Sequence, residues 1–408
     1  MANASLVGLS RSLGKNVRLE NGQLVARSLS RSHQMYPPIL QYLSQTQLSA
    51  DRLLSICEES DIGPGNLWAE ILAHNLISAL RERDRDYVGA FNAHIEAVSA
   101  FLKVFETATQ WTLPAFYVLI DHMRILGQAA DEQMRADPDG KPDKLETAAR
   151  ILNRCFGITI NDRNPLSNSK KWGTLSVINN LFRIHFKLNN VRLCKNLIRS
   201  VDGHGFPPLE KFPISHLVTY KFFLGRVCLF EGNLTKAEDA LTFAFERLPR
   251  NHVNSKRLCL MYLLPVKLFR GKYPPKGLLK KYQLDTLATI VEAVALGNLK
   301  LFNRTMEDNE EEFIRRGILL ILEKLKDLVY RNLLFTISTA LNTTKIPLTS
   351  LQKVCVWLGA DMDLDEVECI VANLIASGYV KGYISHKLHV LVVHKAKGFP
   401  ALSTINQS

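Results

Sequence analysis

Acidic residues are scarce in one part of this chain. Between Arg150 and Arg226 only Asp162, Asp202 and Glu210 stand against thirteen Lys or Arg, a local balance of +10 out of a total of +12 for 408 residues. A long apolar run is also missing. The best candidate, Gly317 to Leu322, meets a charge within a few positions and falls far short of the roughly 18 residues a membrane-spanning helix needs. The expectation is a chain that does not insert into a membrane. Catalytic signatures are lacking too. There is no G-x-x-x-x-G-K-[ST] phosphate loop, no H-E-x-x-H or His-x-His, and no recognisable nucleophile motif, so no enzyme, cofactor or small-molecule substrate is expected. The seven cysteines are scattered singly with no C-x-x-C pair, which reads as buried free thiols in a reducing compartment. His386, His389 and His394 gather near the end. Strand alternation sends His389 and His394 to opposite faces, so no metal role is expected for them.

What is present is an ordinary globular composition, 47% hydrophobic and 22% charged, with length enough for two or three domains. The first 35 residues carry Arg11, Lys15, Arg18, Arg27 and Arg31 against Glu20 alone, and many serines. They read as a flexible basic extension of a nuclear or cytosolic protein. The +10 block creates a local field that attracts an acidic peptide or a phosphate backbone.

From about Met35 the apolar periodicity is helical. Val88, Phe91, Ile95, Val98, Phe101, Leu102 and Phe105 recur at three and four residues and lay a stripe along one face. Beyond a second loop near Asn161 to Asn168 the helices come in pairs, joined by short turns at Leu188-Asn189-Asn190, Glu231-Gly232-Asn233 and Leu296-Gly297-Asn298. Gly and Asn end helices because they accept the left-handed conformation cheaply. Such pairs cannot bury their apolar faces alone and must stack, as in tetratricopeptide-like repeats. A long helix from Glu311 to Tyr330, continuing to Ala340, is expected to follow.

The style then changes. A cap at Pro347 to Ser350 precedes a short helix, Leu351 to Leu358. An acidic helix start at Asp363 to Glu366 precedes the stripe Val367, Ile370, Val371, Leu374, Ile375. A β-hairpin closes the series, Tyr379-Val380 and Tyr383-Ile384 facing Val390 to Val393. Helix, helix and two-stranded wing is the order of a winged helix. The expected fold is therefore mainly all-α: a TPR-like helical-repeat solenoid capped by a C-terminal winged helix with a β-hairpin. The expected divisions are 1–35, N-terminal helical repeats 36–165, helical part of the C-terminal domain 166–345, winged helix 346–396 and a tail 397–408.

That order is the architecture of PCI domains. Closer still, SKKWG at 169–173, LCKNLIRSVD at 193–202, YLLPVKL at 262–268, GILLILEKLK at 317–326, DLDEVECIVANLI at 363–375, VKGYISH at 380–386 and FPALS at 399–403 resemble the PCI-domain subunit of the nuclear mRNA-export complex. This is the family called Thp in yeast and elsewhere signalosome subunit twelve-like. The resemblance covers about 150–403 well and 68–135 loosely. It implies a non-catalytic scaffold at the nuclear face of the pore, paired with a larger Sac/GANP-type PCI protein and a small acidic Sem/DSS-type peptide, and presenting a joint surface to RNA or DNA. A related assembly acting in transcription elongation and splicing, or beside the COP signalosome, uses the same motifs. On this chain's own chemistry the nucleic-acid candidates are Lys170, Lys171, Lys221 and Arg226 in the block, and Lys381, Lys387, Lys395 and Lys397 on or beyond the hairpin. Arg183, Lys187, Arg192, Lys195 and Arg199, with Tyr379 and Tyr383, are candidates for partner binding, and the basic block fits an acidic peptide as well as RNA. The acids Asp361, Asp363, Asp365, Glu366 and Glu368 repel phosphate, which argues against groove reading by the second helix.

Overall fold

The computed structural model describes residues 2–46, 48–62, 66–203 and 205–405. It is mostly helical, with a small three-stranded antiparallel sheet near the C-terminus, and fits a TPR-like helical repeat with a winged-helix cap. Two compact units divide between Tyr220 and Lys221, inside the helix Ile214–Phe230. The expected boundary at 165/166 is thus not where compactness changes.

In the first unit successive helices pack on their chain neighbours: Leu67–Arg83 on Tyr87–Thr107, then Leu113–Arg135, Lys144–Ile160, Thr174–Lys187 and Val191–Val201. The stripe read from the sequence supplies the core. Phe101, Phe105 and Phe116 stack, with centroids 4.4 Å apart for Phe105 and Phe116 and 5.6 Å for Phe101 and Phe105. Turns follow the expected chemistry, with Asn189 in the left-handed region at φ 57° before the helix Val191–Val201.

Residues 1–35 correct the sequence reading. Instead of a flexible extension, the described part forms the helices Ala2–Arg18 and Gly22–Leu29. Leu6, Leu9 and Leu13, at i, i+3 and i+7, are fully buried, as are Val25 and Leu29. The Leu29 carbonyl accepts from Asn75 Nδ2 at 2.8 Å, and Arg31 donates to Ser78 Oγ at 2.7 Å. Arg11, Lys15, Arg18 and Arg27 are the solvent side of an amphipathic segment, while Arg31 turns inward to Ser78 and Glu82, and averaging the charge concealed the three-leucine stripe.

His94 lies wholly inside this unit, its Nε2–H donating to the Leu119 carbonyl at 2.9 Å. Burial, aided by the Arg31 charge, opposed by the Leu119 bond and helped slightly by His122, pulls its pKa from 6.5 down to about 3. The unfolded chain takes up this proton near pH 6.5 and the folded chain does not. The stabilisation is therefore complete above pH 6.5 and is lost progressively as pH falls toward 3. By pH 5 the loss from His94 is about 2 kcal/mol. Urea midpoints between pH 7.5 and pH 5 check this, and His94→Gln flattens the slope.

In the second unit Leu234–Arg247 packs on Val253–Phe269, and Asp285–Leu296 packs on both Leu299–Asp308 and Lys326–Leu341. Gly232 and Gly297 take φ 80° and 66° at the expected turns. At Gly297 a Cβ would sit 2.5 Å from the Leu333 backbone nitrogen, so the site excludes any other residue on space as well as on conformation. The expected long helix 311–340 is broken into Glu310–Arg316, Leu319–Lys324 and Lys326–Leu341. Gly317, left-handed at φ 66°, ends the first piece.

The winged helix follows. Its helices are Leu348–Trp357 and Leu364–Ala376, the second opened by a capping box in which Asp363 accepts from Glu366 N and Glu366 accepts from Asp363 N. The wing is three-stranded rather than two-stranded. Strands β1 (Lys345–Pro347), β2 (Gly382–Ser385) and β3 (Val390–Val393) lie in the order β1-β3-β2, all antiparallel. The described part of the tail is docked: Leu402 is buried against Gly271, and the Pro400 carbonyl accepts from Arg331 at 2.8 Å. Residues 406–408 lie outside the described residues.

Candidate nucleic-acid interface

The thirteen cations of the basic block separate by burial. Nine are exposed, Lys171, Lys221 and Arg226 are half-buried, and Lys170 is buried at 4% exposure. Lys170 is a correction. Its ammonium donates to the carbonyls of Phe105 at 2.8 Å and Glu106 at 3.0 Å, at the C-terminus of the helix Tyr87–Thr107, and lies 5.4 Å from the Phe105 ring centroid. A cation there satisfies carbonyls that the helix leaves unpaired and offsets the negative end of its dipole. It has no surface to offer a phosphate. Its neighbour Lys171 donates to the Gly205 carbonyl at 3.3 Å.

The other two block candidates are also engaged, within the second unit. The Arg226 guanidinium carbon stands 4.3 Å from the Tyr262 ring centroid and 5.6 and 5.7 Å from Phe222 and Phe223, a planar cation seated among aromatic faces. Lys221 Nζ lies 6.0 Å from the Phe243 centroid. Lys170 and Arg226 therefore serve the fold, while Lys171 and Lys221 make looser contacts. Lys170→Met, which keeps the aliphatic stem and removes the donors, should cost about 1–3 kcal/mol in chemical denaturation while leaving nucleic-acid affinity at the wild-type level.

Three of the nine exposed cations share one helix. Val191–Val201 buries Cys194, Leu197 and Val201 and turns Arg192, Lys195 and Arg199 to solvent at i, i+3 and i+7, with no acid anywhere in the helix. Arg183 and Lys187 are exposed on the preceding helix, Thr174–Lys187. Lys187 is partly answered by Glu132, 3.7 Å away. The five cations expected to bind a partner are thus all at the surface of the first unit.

In the winged helix the register sorts the sheet into two faces. Ile346 and Leu391 pair across β1 and β3 and are fully buried, with Val393 on the same side. The outer face carries Val392 with Lys345 opposite it on one side and Tyr383 on the other. His394 N donates to the Lys381 carbonyl at 2.8 Å, which continues the ladder and places Lys381 on the face of Tyr383. Lys381, Lys387, Lys395 and Lys397 are exposed. Tyr383 is 63% exposed, whereas Tyr379, at 6%, belongs to the core and is withdrawn as an interface residue. Asp361, Asp363, Asp365 and Glu366 are exposed around the start of the helix Leu364–Ala376, so a polyanion is steered toward the sheet.

Sequence reasoning missed two residues here. Lys345 joins the outer face only through the strand β1, and a three-residue strand paired with a segment some 45 positions on leaves no local signature; the only trace is the alternation in Lys345-Ile346-Pro347. Trp357, at 80%, is the most exposed large apolar side chain among the described residues, at the end of a helix that buries Leu348, Leu351 and Cys355 and leaves Val356 exposed beside it.

This combination of stacked helical repeats and a C-terminal winged helix defines a PCI-type protein, and residues 306–395 match the PCI domain family. Among curated proteins, the PCI domain-containing protein 2 homolog of Dictyostelium discoideum is 40% identical over 341 residues, covering 82% of this chain and 79% of that protein. PCI domain-containing protein 2 of Xenopus laevis is 41% identical over 83% of this chain and 86% of its own. A Neurospora crassa protein named as a CSN12 homolog is 31% identical over 80% of each. The chain belongs to the family of PCI domain-containing protein 2 and the CSN12-like proteins.

Proposed function

We propose that this chain is a non-catalytic PCI scaffold subunit of a nuclear mRNA-export complex, coupling transcription to export at the nuclear pore. In this reading it pairs with a larger Sac/GANP-type PCI protein, holds a small acidic Sem/DSS-type peptide and binds RNA or DNA jointly with the larger partner. The observation that carries it is the acid-free exposed ridge Arg192, Lys195, Arg199, which fits an extended acidic peptide. The winged helix adds a face that carries Lys345, Lys381 and the exposed ring of Tyr383, with Lys387 in the turn at its tip. Lysines give salt-dependent, sequence-tolerant phosphate contact, and an exposed aromatic face supports base stacking.

A second reading keeps the scaffold and changes the assembly. It is favoured by the relative named as a CSN12 homolog, and puts the chain in a related PCI complex acting in transcription elongation and splicing or beside the COP signalosome. Affinity purification of the full chain from nuclei, followed by mass spectrometry, separates the two. The export reading expects one larger PCI protein and one small acidic peptide in stoichiometric yield. Recovery of signalosome subunits alone selects the second reading.

A further inference from the structure

We propose that Glu368, His386 and His389 form a binding site for a divalent transition metal of the zinc class, tying the wing to the helix Leu364–Ala376. The three side chains come from two elements. Glu368 projects from the helix, and the histidines flank the tip between β2 and β3. His386 Nδ1 lies 2.9 and 3.0 Å from the two Glu368 carboxylate oxygens, and His389 Nδ1 lies 3.7 Å from Oε2. One ligand atom from each residue lies within 4.8 Å of the others. Donors at zinc bond lengths in a tetrahedron stand about 3.4 Å apart, so the spacings found here need only small adjustments to close on one ion.

The backbone is arranged for this convergence. Residues His386–Leu388 form a single 3-10 turn, and His389 follows in the left-handed region at φ 48°, its N–H donating to the His386 carbonyl at 3.2 Å. That conformation favours glycine or asparagine, and a histidine held there bears a cost. Its effect is to bring two imidazoles three residues apart onto one side, with ring centroids 5.5 Å apart. The alternation that sends His389 and His394 to opposite faces, on which the sequence expectation of no metal role rests, says nothing of His386 and His389, which meet through this turn. His389 Nδ1 is shielded from solvent, has no hydrogen bond and faces the carboxylate. A metal supplies the partner that this nitrogen lacks. His394 is outside the cluster, its Nδ1 accepting from the backbone of Ala396 and Lys397.

The donor set selects the ion. Two imidazole nitrogens and one carboxylate suit zinc, cobalt or nickel, whereas magnesium and calcium prefer oxygen throughout. Three protein ligands leave a coordination position for water, since the His386 side chain is well exposed. The bound cation also offsets the Glu368 charge beside His386 at the wing tip, making the wing more attractive to phosphate.

The test is titration of the untagged full-length chain with zinc chloride by calorimetry, repeated with cobalt followed by visible absorption. Cys369, the exposed thiol among the described cysteines, is replaced by Ser throughout. One saturable equivalent is expected. Glu368→Gln, His386→Ala and His389→Asn each weaken it tenfold or more, the double histidine variant abolishes it, and His394→Ala leaves it unchanged. Asn at 389 tolerates the left-handed backbone, so loss of binding in that variant with an unchanged melting curve reports the ligand and not the fold. Absence of saturable binding, or binding that survives the double variant, overturns the proposal.

Discussion

A chain lacking residues 1–35 should be recovered mainly as aggregate, and any soluble fraction should melt well below the full-length protein. The deletion removes the buried Leu6, Leu9, Leu13, Val25 and Leu29 and uncovers the apolar groups that they cover, while Asn75 loses the Leu29 carbonyl to which it donates. Each such side chain contributes about 1.5–3 kcal/mol on burial, so five of them together are comparable with the whole 5–15 kcal/mol net stability of a typical domain before the entropy recovered by the freed segment is counted. A dispensable extension would instead leave the melting temperature and solubility where they were. The point variant Leu9→Asp separates packing from length. It keeps all 35 residues and should lower the melting temperature by 10 °C or more if the stripe is core, and by almost nothing if the segment is loose. Differential scanning fluorimetry of the three proteins decides it.

The second large effect concerns binding and leaves the fold intact. Arg192→Glu, Lys195→Glu and Arg199→Glu together should weaken capture of an acidic peptide by a hundredfold or more at low salt, with an unchanged melting curve. All three side chains point to solvent from a helix whose Cys194, Leu197 and Val201 hold it in place, so reversing them disturbs no core contact. Their reversal turns an acid-free ridge into an anionic one, and like-charge opposition at an interface costs several kcal/mol. Replacement by Gln in place of Glu should give a smaller loss that salt narrows. The measurement is fluorescence anisotropy of a labelled acidic peptide at two ionic strengths. Equal affinity for wild type and triple variant would remove this helix as the docking surface.

The sequence declared its turns and the order of its domains because those signals are local. Gly232 and Gly297 mark left-handed helix ends, and Asp363 with Glu366 closes a capping box within one helical turn. What it hid depends on partners distant in the chain. Lys170 reads as a surface cation until the helix end at Phe105 and Glu106 is brought to it from 64 and 65 residues away. Arg226 likewise looks free until Tyr262 covers it. Strand β1 pairs with residues 390–392, and only that pairing places Lys345 beside Val392 on the outer face. Around Gly317, helical periodicity continues across a break that a single left-handed residue imposes. Among the site candidates, the exposed lysines of the wing and the ridge on Val191–Val201 were legible because charge at helical spacing opposite an apolar stripe is a local signal. The metal cluster was not, since it forms across a turn that interrupts alternation.

The proposed role rests on electrostatic, sequence-tolerant contact between the assembled winged helix and nucleic acid. The most direct test is a salt titration of RNA binding by the complex of this chain with its larger partner and acidic peptide. Contacts from Lys345, Lys381, Lys387 and Lys395 should give a slope of log affinity against log salt of about −3, near −0.7 per single-stranded phosphate, and glutamate at those four positions should flatten it. A flat line for the wild-type complex between low and moderate salt would show that the wing does not hold the phosphate backbone.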